Sequence, residues 1–228
     1  FMKKLLVSLA MLLSSPVMAA DMSIEMLNKD SNGNKMILSG GAVLLHAASA
    51  IIENCTFENN VAGHLGGALA VDNYWYLDIA TINIRNSSFI NNSILAPEGS
   101  PEGSKGGGIG FKDGVNATII NSLFENNLVK NTNNQARGGA IYAGGGFDSG
   151  LDQLIWIINT RISRNIAEVT GGSEAQGGGL FMASPFALVN SVVDSNQTST
   201  FEQGKGGEAG GVFIGVQSSP DQANEIGR

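Results

Sequence analysis

Cys55 is the only cysteine among 228 residues, so the chain can form neither an intrachain disulfide framework nor a multi-cysteine zinc or iron–sulfur site. Histidine is almost as scarce. His46 follows an expected buried strand and His64 sits in a turn, neither in an Asp-x-His or serine-partnered pattern, so a structural role is expected for each. Basic residues are also few, 13 against 20 acidic, and the net charge of −7 argues against any partner recognised through a phosphate backbone, nucleic acid included. Long apolar runs are missing: the longest, Leu5 to Leu13, is far short of the roughly 20 residues a membrane-spanning helix needs. Proline occurs 5 times and no Gly-X-Y period is present, which excludes collagen, while a hydrophobic content of 43% is enough to bury a core.

Glycine, in contrast, is abundant: 31 residues, about twice the usual share of roughly 7%. At the N-terminus, Lys3 and Lys4, the short apolar run and the small residues Val17-Met18-Ala19-Ala20 read as a secretory signal peptide cleaved after Ala19 or Ala20. Residues 1–20 are therefore expected to be the export signal and 21–35 a leader or cap. No cysteine stands at the cleavage point to carry a lipid, and no transmembrane segment is expected in the mature chain.

Two motifs then alternate. Gly-Gly-[Ala/Gly]-apolar-x-apolar begins at Gly40, Gly66, Gly106, Gly138 and Gly177, with a looser sixth copy at Ala209 to Ile214. Asn-small-x-apolar-x-x-Asn runs from Asn54 to Asn60, Asn86 to Asn92, Asn121 to Asn127, Asn159 to Asn165 and Asn190 to Asn196. Aligned on the first Asn, the residue two before it is Ile52, Ile84, Ile119, Ile157 or Leu188, and the residue three after it is Phe57, Phe89, Phe124, Ile162 or Val193. A period of two with identical inward residues in five copies belongs to a solenoid; a β-sandwich with glycine-rich turns has no reason to repeat them. Asn suits a stacked bend because it tolerates left-handed backbone and its amide can bond to the coil above, and Gly-Gly suits a corner where coils approach closely. The expected fold is all-β: a right-handed parallel β-helix of five to six coils over residues 36–215, each coil using three short strands and roughly 20 to 25 residues plus surface insertions. Residues 216–228 hold few apolar side chains and no corner Asn, so they read as an unfinished coil or tail. Further repeats beyond Arg228, and end-to-end association through an uncapped last coil, are the corresponding expectations.

These motifs resemble the GGA[ILV] and FxxN repeats of the chlamydial polymorphic outer membrane proteins. The matching residues are Gly40 to Val43, Gly66 to Leu69 and Gly138 to Ile141 for the first, and Phe57 to Asn60, Phe89 to Asn92 and Phe124 to Asn127 for the second. The resemblance implies the β-helical passenger of an autotransporter, exposed at the cell surface or outer membrane and engaged in adhesion, ahead of a C-terminal membrane barrel. No barrel pattern occurs within these residues.

Evidence for chemistry is thin. Glycoside hydrolysis needs carboxylates converging on one face, whereas Asp72, Asp78, Asp113, Asp148, Asp152 and Asp194 fall mostly in separate loops. Cys55 occupies the small position held elsewhere by Ser87, Ser122, Thr160 and Ser191, so it reads as a packed thiol. No catalytic residue, metal site or cofactor is expected. Two insertions stand out: Asp72-Asn73-Tyr74-Trp75-Tyr76-Leu77-Asp78 and residues 144–153, expected on one edge two coils apart, about 10 Å. Tyr74, Trp75, Tyr76 and the outward Trp156 form the candidate ligand-binding set, suited to stacking on a sugar or to a protein contact; folding down to shield an apolar sheet is the alternative role for these rings. The expected function is an exported, non-enzymatic surface or secreted display scaffold whose ligand is a host-cell or extracellular polysaccharide or protein. The alternative is a polysaccharide-binding or polysaccharide-degrading β-helix. Residues 93–105, rich in Pro, Gly, Ser and Glu, are expected to protrude as a loop.

Overall fold

The computed structural model describes residues 39–46, 48–72, 79–96, 100, 103–144, 153–171, 174–201 and 207–215. Every pairing between its strands is parallel, and each strand pairs only with its counterparts in the coils before and after. The result is a right-handed parallel β-helix of five coils and the opening strand of a sixth.

The first sheet stacks the Gly-Gly strands Val43–His46, Leu69–Asp72, Ile109–Lys112, Ile141–Ala143, Leu180–Met182 and Val212–Ile214. The second stacks Ala50–Glu53, Ala80–Arg85, Val115–Ile120, Ile155–Ile158 and Phe186–Val189, and the third the short strands from Thr56–Glu58 to Val192–Asp194. Three strands per coil therefore undercounts the turn of the solenoid. A fourth sheet runs from Val61–Ala62 to Gln197–Thr200, and a fifth of two-residue strands, Ser104–Lys105, Ala136–Arg137 and Ala175–Gln176, closes the middle coils. The reason is the corner chemistry. The first Asn of each motif (54, 86, 121, 159, 190) is left-handed, and so is the residue just before the last Asn: Asn59, Asn91, Asn126, Arg164 and Ser195. Two bends within seven residues isolate a three-residue strand and send the chain into a further sheet.

Ile52, Ile84, Ile119 and Ile157 form one buried inward row. Leu188 keeps their register but is 37% exposed, because no described strand lies beyond it. Phe57, Phe89 and Phe124 stack face to face at 4.7 Å per step in the same core. Replacing Ile119 by Asp is expected to cost roughly 3–5 kcal/mol at neutral pH, since the carboxylate would meet only apolar neighbours. Urea unfolding followed by circular dichroism reads that loss as a lower midpoint.

The corners hold polar ladders. Asn60, Asn92, Asn127, Asn165 and Asn196 stack inside the helix, each Nδ2 of the first four donating to the Oδ1 of the next coil's Asn at 2.8–3.0 Å. One register away, the backbone N–H of Cys55, Ser87, Ser122 and Thr160 each donates to the next coil's hydroxyl.

The reading of residues 93–105 as one loop needs correction. Ser93–Leu95 is a strand of the fourth sheet with Ile94 fully buried, and Ser104–Lys105 is a strand of the fifth. Ile94, Val129 and Ala167 pack with Ala136, Val169 and Ala175 in a second core between those two sheets, which draws both ends of the segment inward. Residues 97–99, 101 and 102 lie outside the described residues.

Candidate functional site

The connection from the first sheet to the second varies in length from coil to coil, as does the one that follows the fourth sheet. In the third coil it is two residues, Asp113 and Gly114, both left-handed at φ 43° and 59°, a tight turn that any longer insertion displaces. In the second and fourth coils the insertions take its place. Their parent strands, Leu69–Asp72 and Ile141–Ala143, both pair with Ile109–Lys112, so the insertions spring from one edge two strand spacings apart, about 10 Å.

Of the four candidate ligand-binding residues, Tyr74, Trp75 and Tyr76 lie outside the described residues. Trp156 lies on Ile155–Ile158, in register between Thr118 and Ala187, pointing outward and 41% exposed. Leu154 and Val189 are exposed on the same outer surface. The sheet geometry also joins side chains that the sequence kept apart. His46, Asp72 and Lys112 occupy one register row, and Lys112 Nζ stands 3.7 Å from the Asp72 carboxylate. The row ends beside the root of the 73–78 insertion. Gln153, at the end of the other insertion, is buried with no hydrogen-bond partner for either amide atom, an arrangement that costs about 1–3 kcal/mol. Among the described residues no three His, Cys, Asp or Glu side chains group to hold a metal.

The other candidates have structural surroundings. Cys55 is half-buried, its Sγ directed to the Glu53 carbonyl, and burial pushes its thiol pKa up, away from the thiolate a nucleophile requires. His64 is buried and His46 exposed. Asn116 accepts a hydrogen bond from Leu154 N–H and so ties the strand after the insertion to the coil below.

Sequence motifs gave no sign of a cover over the outside of the first sheet. The residue immediately before each Gly-Gly corner forms a continuous row, Leu65–Lys105–Arg137–Gln176–Glu208. The first three of these side chains lean over the outward residues of the following coil. Leu65 fills the space a Cβ at Gly110 would need, Lys105 lies 5.5 Å from the Tyr142 ring centroid, and Arg137 lies 4.8 Å from that of Phe181. Beneath them Tyr142, Phe181 and Phe213 stack at 5.3 and 5.2 Å. Arg137 Nε donates to Gln176 Oε1 at 2.9 Å, and Gln176 Nε2 donates to Glu208 at 2.9 Å. Burial draws the Arg137 pKa down and pushes the Tyr142 phenol up to about 12, a rise that Arg137 tempers.

A pH prediction follows for Tyr142. Its folded pKa is raised, so the stability it contributes is whole below about 10 and is lost as the pH climbs towards 12. Phenolate absorbance near 295 nm is expected to show one of the 3 tyrosines ionising late, and Tyr142→Phe to remove that component.

Residues 54–72 match the Chlamydia polymorphic membrane protein (Chlamydia_PMP) repeat. That span runs from the first corner Asn through Phe57 and Asn60 to the Gly66-Gly67 corner and the strand after it. No curated protein and no solved structure matches the chain. Among the described residues no helix is long and apolar enough to cross a membrane.

Proposed function

We propose that the chain is an exported, non-enzymatic surface or secreted scaffold, adhesin-like or passenger-like, that presents one edge of a rigid β-helix to an extracellular polysaccharide or protein. The observation that carries this reading is the pair of insertions on that edge beside an exposed indole. Two insertions leave it two strands apart, and Trp156 stands exposed on the adjoining outer face. A stack that holds its strands in strict register gives such loops a fixed spacing, so a ligand meets a surface already organised. An exposed indole offers a large contact area at small entropic cost and stacks readily on a sugar face. The signal-like residues 1–20 support export.

The test is a binding screen of the full chain against extracellular polysaccharides and intact host-type cells. Trp156→Ala, and separately replacement of residues 73–78 by Asp-Gly, are expected to lower binding to the selected ligand at least tenfold while the circular dichroism spectrum stays unchanged. Full binding by both variants would refute the reading.

The row His46–Asp72–Lys112 favours a second reading, in which the same edge cleaves an acidic polysaccharide. Lys112 would neutralise a substrate carboxylate and His46 would move a proton. Release of new reducing ends from a polyuronate by the chain, abolished in Lys112→Ala, would support it over simple display.

A further inference from the structure

The bends of the solenoid carry a reactive pair that the fold keeps from reacting. Asn54, Asn59, Asn86, Asn91, Asn121, Asn126 and Asn159 are all exposed and all left-handed, with φ between 49° and 57°. In an open chain an asparagine carboxamide is attacked by the main-chain nitrogen of the next residue. That nitrogen gives its proton to base and bonds to Cγ, a five-membered imide closes, and the side-chain nitrogen leaves as ammonia with a proton taken from water. Water then opens the imide at either carbonyl, giving aspartate or isoaspartate. A small successor leaves the attack uncrowded, and the residues after the first Asn of each motif are Cys55, Ser87, Ser122 and Thr160.

At all seven bends the attacking nitrogen is held by the next coil. The N–H groups of Cys55, Ser87, Ser122 and Thr160 donate to Ser87 Oγ, Ser122 Oγ, Thr160 Oγ1 and Ser191 Oγ at 3.1–3.3 Å. Those of Asn60, Asn92 and Asn127 donate to the Oδ1 of Asn92, Asn127 and Asn165 at 2.9–3.1 Å. The acceptor is a side chain every time. Such a bond keeps the proton on the nitrogen and directs it along the stack, whereas attack needs a bare nitrogen aligned on Cγ at close range. Outside the ladders the geometry is the reverse: Gln135 N–H donates to the Oδ1 of its own neighbour Asn134 at 2.8 Å, so nitrogen and carboxamide meet.

We propose that the seven exposed corner asparagines are latent deamidation sites, and that the hydroxyl and carboxamide ladders hold them closed by occupying the nitrogen that would attack. The small position after each first Asn thereby acquires a chemical requirement beyond size. Alanine is as small as serine there, but it would leave the bend one coil earlier open to a reaction that plants a carboxylate on the corner or, as isoaspartate, lengthens the main chain by one methylene.

The full chain and its variants, each checked by circular dichroism, are incubated in mildly alkaline buffer and mapped by peptide mass spectrometry that separates Asn, Asp and isoaspartate at every bend. Ser122→Ala removes the acceptor of Ser87 N–H and is expected to speed the loss of Asn86 roughly tenfold, the factor that one hydrogen bond supplies. Isoaspartate should be among the products, and Asn54 and Asn121 should keep the parent rate. Thr160→Val moves the effect one coil on, to Asn121, and either variant decides the matter if the other fails to fold. Ser122→Thr, which retains a hydroxyl, should match the parent, and in urea all seven sites should react faster than in the folded chain. An unchanged rate at Asn86 in Ser122→Ala and at Asn121 in Thr160→Val, a rise equal at every bend, or a product that is aspartate alone would overturn the proposal. The equal rise would mean that opening of whole coils, and not the single acceptor, sets the rate.

Discussion

Gly107→Ala is expected to cost more than about 4 kcal/mol, enough to unfold a domain of ordinary stability or leave it barely folded. Gly107 is the second glycine of its corner, and an added Cβ would overlap the carbonyl oxygen of Gly139 in the next coil while standing 2.9 Å from the Leu128 backbone. Neither obstacle is a side chain that can swing away. Both are main chain, held by the hydrogen bonds Gly107 N–H to Gly138 O and Leu128 N–H to Asn92 O. The same overlap recurs at Gly41, Gly67 and Gly139, each against the second glycine of the following corner, so the stack has no slack at this position. The first glycine fails for a different reason: Gly106 sits at φ +73°, where a side chain is strained whatever the space. Gly103→Ala is the control, since its Cβ would come no nearer than 3.2 Å to Gln135 O, and a small effect is expected. Urea midpoints for the three proteins decide the matter. A Gly107→Ala variant within 1 kcal/mol of the parent would show that the coils need not approach so closely.

Asn127→Leu is the second large effect, on the order of 4 kcal/mol from several buried groups left unpaired. The Asn127 side chain is fully buried and makes four hydrogen bonds. It accepts from Asn92 N–H and Asn92 Nδ2, and it donates to Asn165 Oδ1 and to the Phe89 carbonyl. Leucine is close in size and more apolar, so a simple hydrophobic account would forecast a gain. The ladder account forecasts a loss, together with a position dependence. Asn60→Leu, on the first rung, removes only the bond from Nδ2 to Asn92 Oδ1 and should cost about 1–2 kcal/mol. Equal losses at the two positions would mean the amides act as separate corners and not as a ladder.

How far the fold could be read from the residues depends on whether a position demands one residue type. The Asn and Gly-Gly corners do, because left-handed backbone and main-chain contact admit few alternatives, and the inward Ile and Phe rows do, because one cavity shape repeats at every level. The cover over the first sheet does not. Leu65, Lys105, Arg137, Gln176 and Glu208 share a place and no chemistry, and the first three each answer a different residue beneath. Leu65 meets Gly110, Lys105 meets Tyr142 and Arg137 meets Phe181, so the signal lies in pairs about 40 residues apart and is invisible to a search for identical letters. The fourth and fifth sheets were missed similarly, because Ser93–Leu95 and Ser104–Lys105 flank a Pro- and Gly-rich stretch whose composition masked the inward Ile94 and Ser104. At the candidate site the sequence placed Trp156 on an outer face. The row His46–Asp72–Lys112 emerged only from strand register, which no local pattern encodes.

Because each strand bonds only to the coil on either side, the molecule has the mechanics of a zipper with one tooth per coil. A force applied along the axis loads the hydrogen bonds of one layer at a time and spares those beneath. Coils should therefore come away singly, each freeing about 30 residues and roughly 100 Å of extended chain. A scaffold held at a boundary under flow would then lengthen in steps, one layer giving way while the coils still paired keep their shape.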